Sequence, residues 1–438
     1  MVVENKTQRY ESYKESGVEW LGEIPLNWNL QKLKSFLTVH GRIGFRGYTV
    51  NDLVSKDEGA VTISPSNMGE NNMIWDKVSY LSWQKYYESP EIIVEEGDLL
   101  IVKTASVGKI AYVRELKEKA TINPQILILK NVKINKDFFY YQLLSRVFQH
   151  QLETEKIGST IYTISETKIL NFRAIIPPLS EQTKIAQFLD DKTTKIDDAI
   201  AIKEQQISLL KERKQILIHK AVTRGLDDSV TLKDSGVEWI GAIPEHWEVK
   251  RLKYVFKILK RIAGELGHEV LSITQKGIKV KDVESGGGQL SMDYSKYQIV
   301  NKGDFAMNHM DLLTGYVDIS KYEGVISPDY RVFNLIHNSC DKYYILLLLQ
   351  LGYRHKIFYA HGQGVSMLGR WRFPADNFNN FRFPIPPLSE QKEISDYIET
   401  ASQKIETAIG LKQQEIEKLK EYKSSLINSV VTGKVRVC

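Results

Sequence analysis

The 438-residue sequence predicts an α+β chain: two mixed α/β domains separated by two long antiparallel helices, with an internal pseudo-two-fold repeat. Three observations predict it. Residues 16–25 read SGVEWLGEIP, and 235–244 read SGVEWIGAIP. Residues 171–185, NFRAIIPPLSEQTKI, return at 380–394 as NFRFPIPPLSEQKEI. Each of these second phrases leads into some forty residues whose apolar positions fall at helix spacing. A chain of this length also exceeds the size at which one hydrophobic core keeps growing.

The leading segments come first. Residues 16–34 and 235–253 are identical at 11 of 19 positions. Gly17 and Gly236 suit turns, and Trp20, Trp28, Trp239 and Trp247 are expected as buried anchors that hold each domain's first strand against the helices.

The middles follow. The offset between copies drops from 219 at the opening phrase to 209 at NFR, so the second middle is ten residues shorter. Faint echoes survive: EEGDLLIVKTASVG at 95–108 against NKGDFAMNHMDLLTG at 301–315, and INPQ at 122 against ISPD at 326. Asp137 and Asp341, before FFYYQLL and KYYILLL, are expected to cap equivalent helices by accepting from first-turn amides. One fold is therefore expected under both middles.

The long helices close each copy. The Pro-Pro pairs cannot continue a strand ladder, and SEQ is expected to supply an N-cap Ser. From Ser180 to Thr223 neither Pro nor Gly intervenes, and apolar residues fall at 185, 189, 196, 200, 207, 210, 217 and 221; the second copy repeats them at 394, 398, 405, 409, 416, 419, 426 and 430. Lys192, Lys203 and Lys214 interrupt the stripe every 11 residues, which is about 3.67 per turn and keeps a helix nearly straight. Helices of this length span roughly 65 Å, and packing them antiparallel covers both stripes, giving an expected dumbbell. The expected segments are 1–176 for the leading segment and first domain, 177–225 for the central helix, 226–385 for the second domain, and 386–438 for the distal helix and tail.

Composition narrows the function. Two cysteines, one of them the last residue, exclude a disulfide framework and a CxxC metal site. No apolar run approaches a membrane span and the N-terminus has no signal-peptide pattern, so a cytoplasmic chain without a membrane partner is expected. KTASVGKI lacks the P-loop frame, GRIGFRG lacks dinucleotide spacing, and neither NPQI nor SPDY forms the Asn/Asp-Pro-Pro-aromatic motif of an adenine methyltransferase. No catalytic or metal-ligating set is found. The GGG at 286–288 reads as a loop tip.

What remains is polar, basic and aromatic. The middles carry net charges of +3 (26–176) and +6 (246–384). Their candidate DNA-contacting residues are Arg42, Arg46, Lys103, Lys109, Ser159, Thr160 and Tyr162 in the first, and Lys276, Lys279, Asn308, His309, Gln363, Ser366, Arg370 and Arg372 in the second, with Lys281 nearby. Lys and Arg set register on phosphates, while Arg, Asn, Gln, Ser and Thr read base edges.

The doubled (I/F)xIPPLSEQ and SGVEW(L/I)G(A/E)IPxxW phrases around divergent middles resemble the specificity subunit of type I restriction-modification enzymes over essentially the whole chain. The resemblance implies that each middle is a target recognition domain reading one half of a bipartite double-stranded DNA site, with sites on one face about one helical turn apart. It implies helices that set the spacing and dock two modification (methyltransferase) subunits, with restriction subunits joining them. S-adenosylmethionine, ATP and Mg would belong to those partners and no cofactor to this chain. The repeated motif gives Leu179, Gln182, Ile185, Leu388, Gln391 and Ile394 a scaffold role. The rival readings are a fragment of a fused methyltransferase-endonuclease, which needs the missing catalytic motifs, and a protein-binding adaptor without DNA, which a gel shift with the modification subunits separates.

Overall fold

The computed structural model describes residues 8–69, 73–158, 161–282, 293–364 and 371–437. The candidates Ser159, Thr160, Ser366 and Arg370, and the GGG stretch, lie outside the described residues. The chain forms two compact units: Met1–Lys203 with Gln413–Cys438, and Glu204–Lys412. Each unit thus holds one middle together with part of both long helices.

In the first unit the opening phrase is the turn of a small hairpin, Tyr13–Glu15 against Glu23–Pro25. Gly17 and Gly22 bracket that turn at φ +71° and +70°, where a side chain would be strained. A four-stranded antiparallel sheet runs in the order Ile110–Tyr112, Leu99–Val102, Ile126–Lys130, Thr38–Gly41. A five-stranded sheet, in the order 53–54, 79–82, 59–63, 120–122, 93–94, packs beside it and contains one parallel pair. The runs LLIV and ILIL are apolar throughout because both faces are covered. Leu99, Ile101, Leu127 and Leu129 face the helix Lys136–Leu144, whereas Leu100, Val102, Ile126 and Ile128 face the second sheet.

The second unit repeats the plan. Its hairpin is Leu232–Asp234 against Ala242–Pro244, and its four-stranded sheet runs Val317–Ile319, Phe305–Met307, Arg331–Leu335, Phe256–Leu259. Strand for strand this is the order of the first sheet. Phe305, Met307 and Phe333 pack toward the helix Lys342–Arg354, and Ala306 and Val332 toward a smaller cluster around Leu271 and Ile326.

The long helices are Leu179–Arg224 and Leu388–Val431, of 46 and 44 residues. Within the first unit they run antiparallel, since Asp197 pairs with Lys423 and Lys203 with Glu415. Within the second, Lys214 pairs with Glu406 at 2.7 Å. The lysines that break the apolar stripe therefore include two that reach carboxylates on the facing helix. Ile185, Ile196, Ile207 and Ile218, and likewise Ile394, Ile405, Ile416 and Ile427, are all buried. That 11-residue recurrence keeps one row on one side of each helix.

Four details differ from the sequence reading. Both helices begin one residue earlier, so Ser180 and Ser389 lie in the first turn, and the carbonyls of Pro178 and Pro387 accept the Gln182 and Gln391 amides at 3.0 Å. Asn135, not Asp137, caps the first unit's helix by accepting from the Phe138 amide, while Asp137 pairs with Arg114; Asp341 caps as expected. Leu217 and Leu426 are half-buried, and their neighbours Ile218 and Ile427 take the core positions. Trp28 and Trp247 are fully buried, but Trp20, on the hairpin turn, is 38% exposed, and Trp239, on the equivalent turn, is half-buried at the edge of the core, where it stacks on Phe381. No described helix is long and apolar enough to cross a membrane.

Candidate nucleic-acid interface

The repeated phrases form a joint. The Trp28 indole Nε1–H donates to Glu181 at 3.0 Å, and Trp247 donates to Glu390 at 3.0 Å, so the Glu of each SEQ holds the Trp of each IPxxW. Gln182 accepts the Asn135 amide at 2.9 Å and donates to the Pro177 carbonyl at 2.8 Å. Gln391 accepts the Asp341 amide at 2.7 Å and donates to the Ser339 and Pro386 carbonyls at 2.8 Å. Ile185 and Ile394 are buried beside them, Leu388 is half-buried and Leu179 is exposed. The sequence reading passed over Glu181 and Glu390; their repetition in register with the two tryptophans was the available signal.

From each joint the sheet carries a pair of loops. In the first unit the strand Leu99–Val102 runs into residues 103–109, where Ala105 sits at φ +65° and its amide donates to the Tyr162 carbonyl at 2.9 Å. The Ile164 amide donates to the Lys103 carbonyl at 3.0 Å, and the Thr104 and Thr163 hydroxyls are 3.3 Å apart. The backbone segments that carry Lys103 and Tyr162 are therefore brought together, with Lys109 at the far end of the same loop. Lys156 lies over the Tyr162 ring at 4.6 Å, and Lys109 donates to the Pro65 carbonyl at 3.0 Å.

The second unit builds the same pair from other residues. The strand Phe305–Met307 runs into 308–316, the Leu312 amide donates to the Trp371 carbonyl at 3.2 Å, and the Phe373 amide donates to the His309 carbonyl at 2.8 Å. Gln363 faces Arg372 across a two-residue ladder. Asn308, His309, Gln363 and Arg372 thus meet in the place that Lys103, Lys109 and Tyr162 occupy in the first unit, with Trp371 at the station of Tyr162. Burial, reinforced by the charges of Arg331 and Arg372, lowers the His309 pKa to about 4. Arg331, which the sequence reading missed, is buried, donates to the Phe373 carbonyl at 2.9 Å, and is lowered to about 10 by its desolvation.

The remaining candidates lie elsewhere. Arg42 is interior, donating to the Ile122 carbonyl and the Thr121 hydroxyl, and Arg46 pairs with Glu91 at 3.4 Å. Lys276 and Lys279 are exposed on the separate hairpin Leu271–Thr274/Gly277–Val280.

Each unit also has a groove beside its opening hairpin. In the first it is about 520 Å³ and lined by Gly17, Val18 and Trp20 together with Asn171, Phe172 and Arg173. In the second it is about 580 Å³ and lined by Gly236, Val237 and Trp239 together with Asn380, Phe381 and Arg382.

The sequence matches the family model for the type I restriction modification DNA specificity domain twice, at residues 25–212 and 244–420. It is 24% identical to the putative type I restriction enzyme MjaX specificity subunit of Methanocaldococcus jannaschii, across the full length of both chains. It is 27% identical to the MjaVIII specificity subunit of the same organism over 79% of this chain and 81% of that one. Among solved structures, the fold resembles a chain from work on complex assembly and conformational transition of the type I R-M system, with TM-score 0.65 and 14% identity over 94% of this chain and 99% of the other. It also resembles the HsdS subunit of Thermoanaerobacter tengcongensis, with TM-score 0.51 and 14% identity over 94% and 98%.

Proposed function

Because this chain belongs to the type I restriction-modification DNA specificity family, we propose that it is the DNA sequence-recognition subunit of such a complex, non-catalytic itself. Each unit reads one half of a bipartite site on double-stranded DNA, and the paired long helices set the separation. Two modification subunits carrying S-adenosylmethionine dock on the repeated frame, and restriction subunits supply ATP- and Mg-dependent steps.

The observation that carries this reading is the loop pair. The backbone bonds that join 103–109 to 161–164 recur between 308–316 and 371–373, on sheets of the same strand order, while the side chains differ. Similar backbone frames with different polar and basic side chains are what two readers of different base sequences require. Lys103, Lys109 and Lys156 in the first unit, and Arg372 in the second, suit phosphates or guanine edges. Asn308 and Gln363 offer the paired donor and acceptor that adenine takes.

Sequencing the methylated adenines in cells that express this chain with its modification subunit tests the reading. Two short words separated by a fixed gap are expected, and exchanging residues 308–316 and 361–373 for those of another family member should change one word alone. A single continuous word, or no motif, refutes it.

A further inference from the structure

The INPQ turn at 122–125 and the ISPD turn at 326–329 end on unlike polar residues, Gln125 and Asp329. Each turn leads into an inner strand of its unit's four-stranded sheet, Ile126–Lys130 or Arg331–Leu335. The strand beside it, Leu99–Val102 or Phe305–Met307, is the one that runs into the recognition loop. In the first unit Ile126 pairs with Val102, so Gln125 stands across from Lys103, whose amide donates to the Gln125 carbonyl at 2.8 Å. In the second Arg331 pairs with Met307, and two residues further along that register Asp329 stands across from His309. Lys103 and His309 are themselves equivalent, each six residues after the Gly of GDLL or GDFA. Gln125 and Asp329 thus hold one station, at the mouth of each recognition loop.

A buried polar side chain fastens each turn. Asn123 accepts the Gln125 amide at 3.0 Å, and its Nδ2 donates to Gln125 Oε1 at 3.3 Å, which leaves the Gln125 Nε2 without a partner among the described residues. Gln298 donates to the Pro328 and Tyr330 carbonyls at 3.0 and 2.7 Å, and the Tyr330 amide closes the turn on the Ser327 carbonyl at 3.0 Å. The Asp329 side chain is exposed, and its carboxylate has neither a hydrogen bond nor an ion pair among the described residues. It stays unpaired although the surrounding middle carries a net charge of +6.

We infer that this station is a base-reading position in both units: Asp329 accepts a hydrogen bond from the N4 amino group of a cytosine in one half-site, and Gln125 pairs with an adenine in the other. The inference rests on the recognition function proposed above and names residues for it. A polar group at the mouth of a recognition loop can meet a phosphate or a base edge, and a carboxylate repels phosphates. In the major groove the donors open to it are amino groups, and a carboxylate is matched to that of cytosine. Glutamine offers a donor and an acceptor together, the complement of adenine N7 and N6. Because buried hydrogen bonds hold each turn, the side chain is in place before DNA arrives and little ordering cost falls on binding.

Asp329→Ala, Asp329→Asn and Gln125→Ala test this, each in the full chain assembled with its modification subunit and presented with a library of randomised duplexes, read by which adenines become methylated. The unmodified chain should yield two words, one of which requires a cytosine. Asp329→Ala should reduce discrimination at that cytosine roughly 5- to 150-fold and leave every other position unchanged. Asp329→Asn keeps the shape and replaces one acceptor oxygen by an amino donor, so it should admit adenine at the same position. Gln125→Ala should relax one adenine of the other word alone. Unchanged words with tighter binding to every sequence would show a carboxylate that only repels phosphates. A loss spread over the whole second word would show a turn that only supports the loop. Either result overturns the inference and leaves the recognition function standing, whereas an unmodified chain that yields no two-word site brings down both.

Discussion

Gln391 offers the sharpest test of how the repeated phrase holds a recognition domain in place. Its side chain is fully buried and makes three hydrogen bonds, from the Asp341 amide at 2.7 Å and to the carbonyls of Ser339 and Pro386 at 2.8 Å. Gln391→Leu keeps the volume but leaves those three backbone groups facing an apolar side chain. Each hydrogen bond is worth about 0.5–1.5 kcal/mol net, and orphaned groups add their desolvation cost, so a loss of about 3–5 kcal/mol is expected. Gln182→Leu removes the two equivalent bonds, to the Asn135 amide and the Pro177 carbonyl, and should cost about 2–3 kcal/mol in the first unit. With two units a single melting temperature is ill-defined, so hydrogen exchange read peptide by peptide is the appropriate assay. Protection across 339–354 should fall roughly 150- to 5000-fold in Gln391→Leu, by more than protection across 135–144 falls in Gln182→Leu. Equal effects, or losses below about 0.5 kcal/mol in both, would refute the clamp.

Three further outcomes are expected. Arg372→Ala should cost about 1–3 kcal/mol of discrimination at one half-site and leave the other half-site unchanged, read by methylation of a randomised target library. Lys203→Ala and Lys214→Ala remove exposed ion pairs with Glu415 and Glu406, so each should cost less than about 1 kcal/mol in denaturant titration, and the difference should vanish near 1 M salt. His309 is held at about 4 in the folded chain against an ordinary value near 6.5, so on acidification the unfolded chain takes up the proton first. The stability contributed by neutral His309 is therefore complete above about pH 6.5 and declines as pH falls toward 4, by about 2 kcal/mol after partial solvent screening. His309→Leu should flatten that part of the stability-against-pH curve.

The legible parts of the fold were those whose residues repeat or alternate locally. The apolar spacing located both long helices to within a residue or two, and the two phrases located the joints. The echo of EEGDLL in NKGDFA placed equivalent strands in both middles, because a positive-φ glycine and a following aspartate are needed for the same turn: Asp98 and Asp304 each accept the amide three residues earlier at 2.8 Å. The caps were less legible. Asn135 and Asp137 are both good caps by type, and the choice between them depends on where Gln182, 47 residues away, presents its acceptor. For the recognition loops, residue type alone gave a scattered list that tertiary pairing sorted. The Lys103 loop meets the Tyr162 segment through backbone bonds across some 60 residues, from the Ile164 amide to Lys103 and from the Ala105 amide to Tyr162, whereas Arg42, equally basic, is drawn inside by the Thr121 hydroxyl and the Ile122 carbonyl.

By itself, then, the sequence determined that this protein is one frame written twice around two unlike middles, because periodicity and repetition are properties of the chain that no packing is needed to express. Which polar residues face outward together, and that SGVEW and NFR line one groove in each unit, was decided by tertiary structure alone. Hydrogen bonds and burial between residues far apart in sequence fix those positions, and neither leaves a local mark.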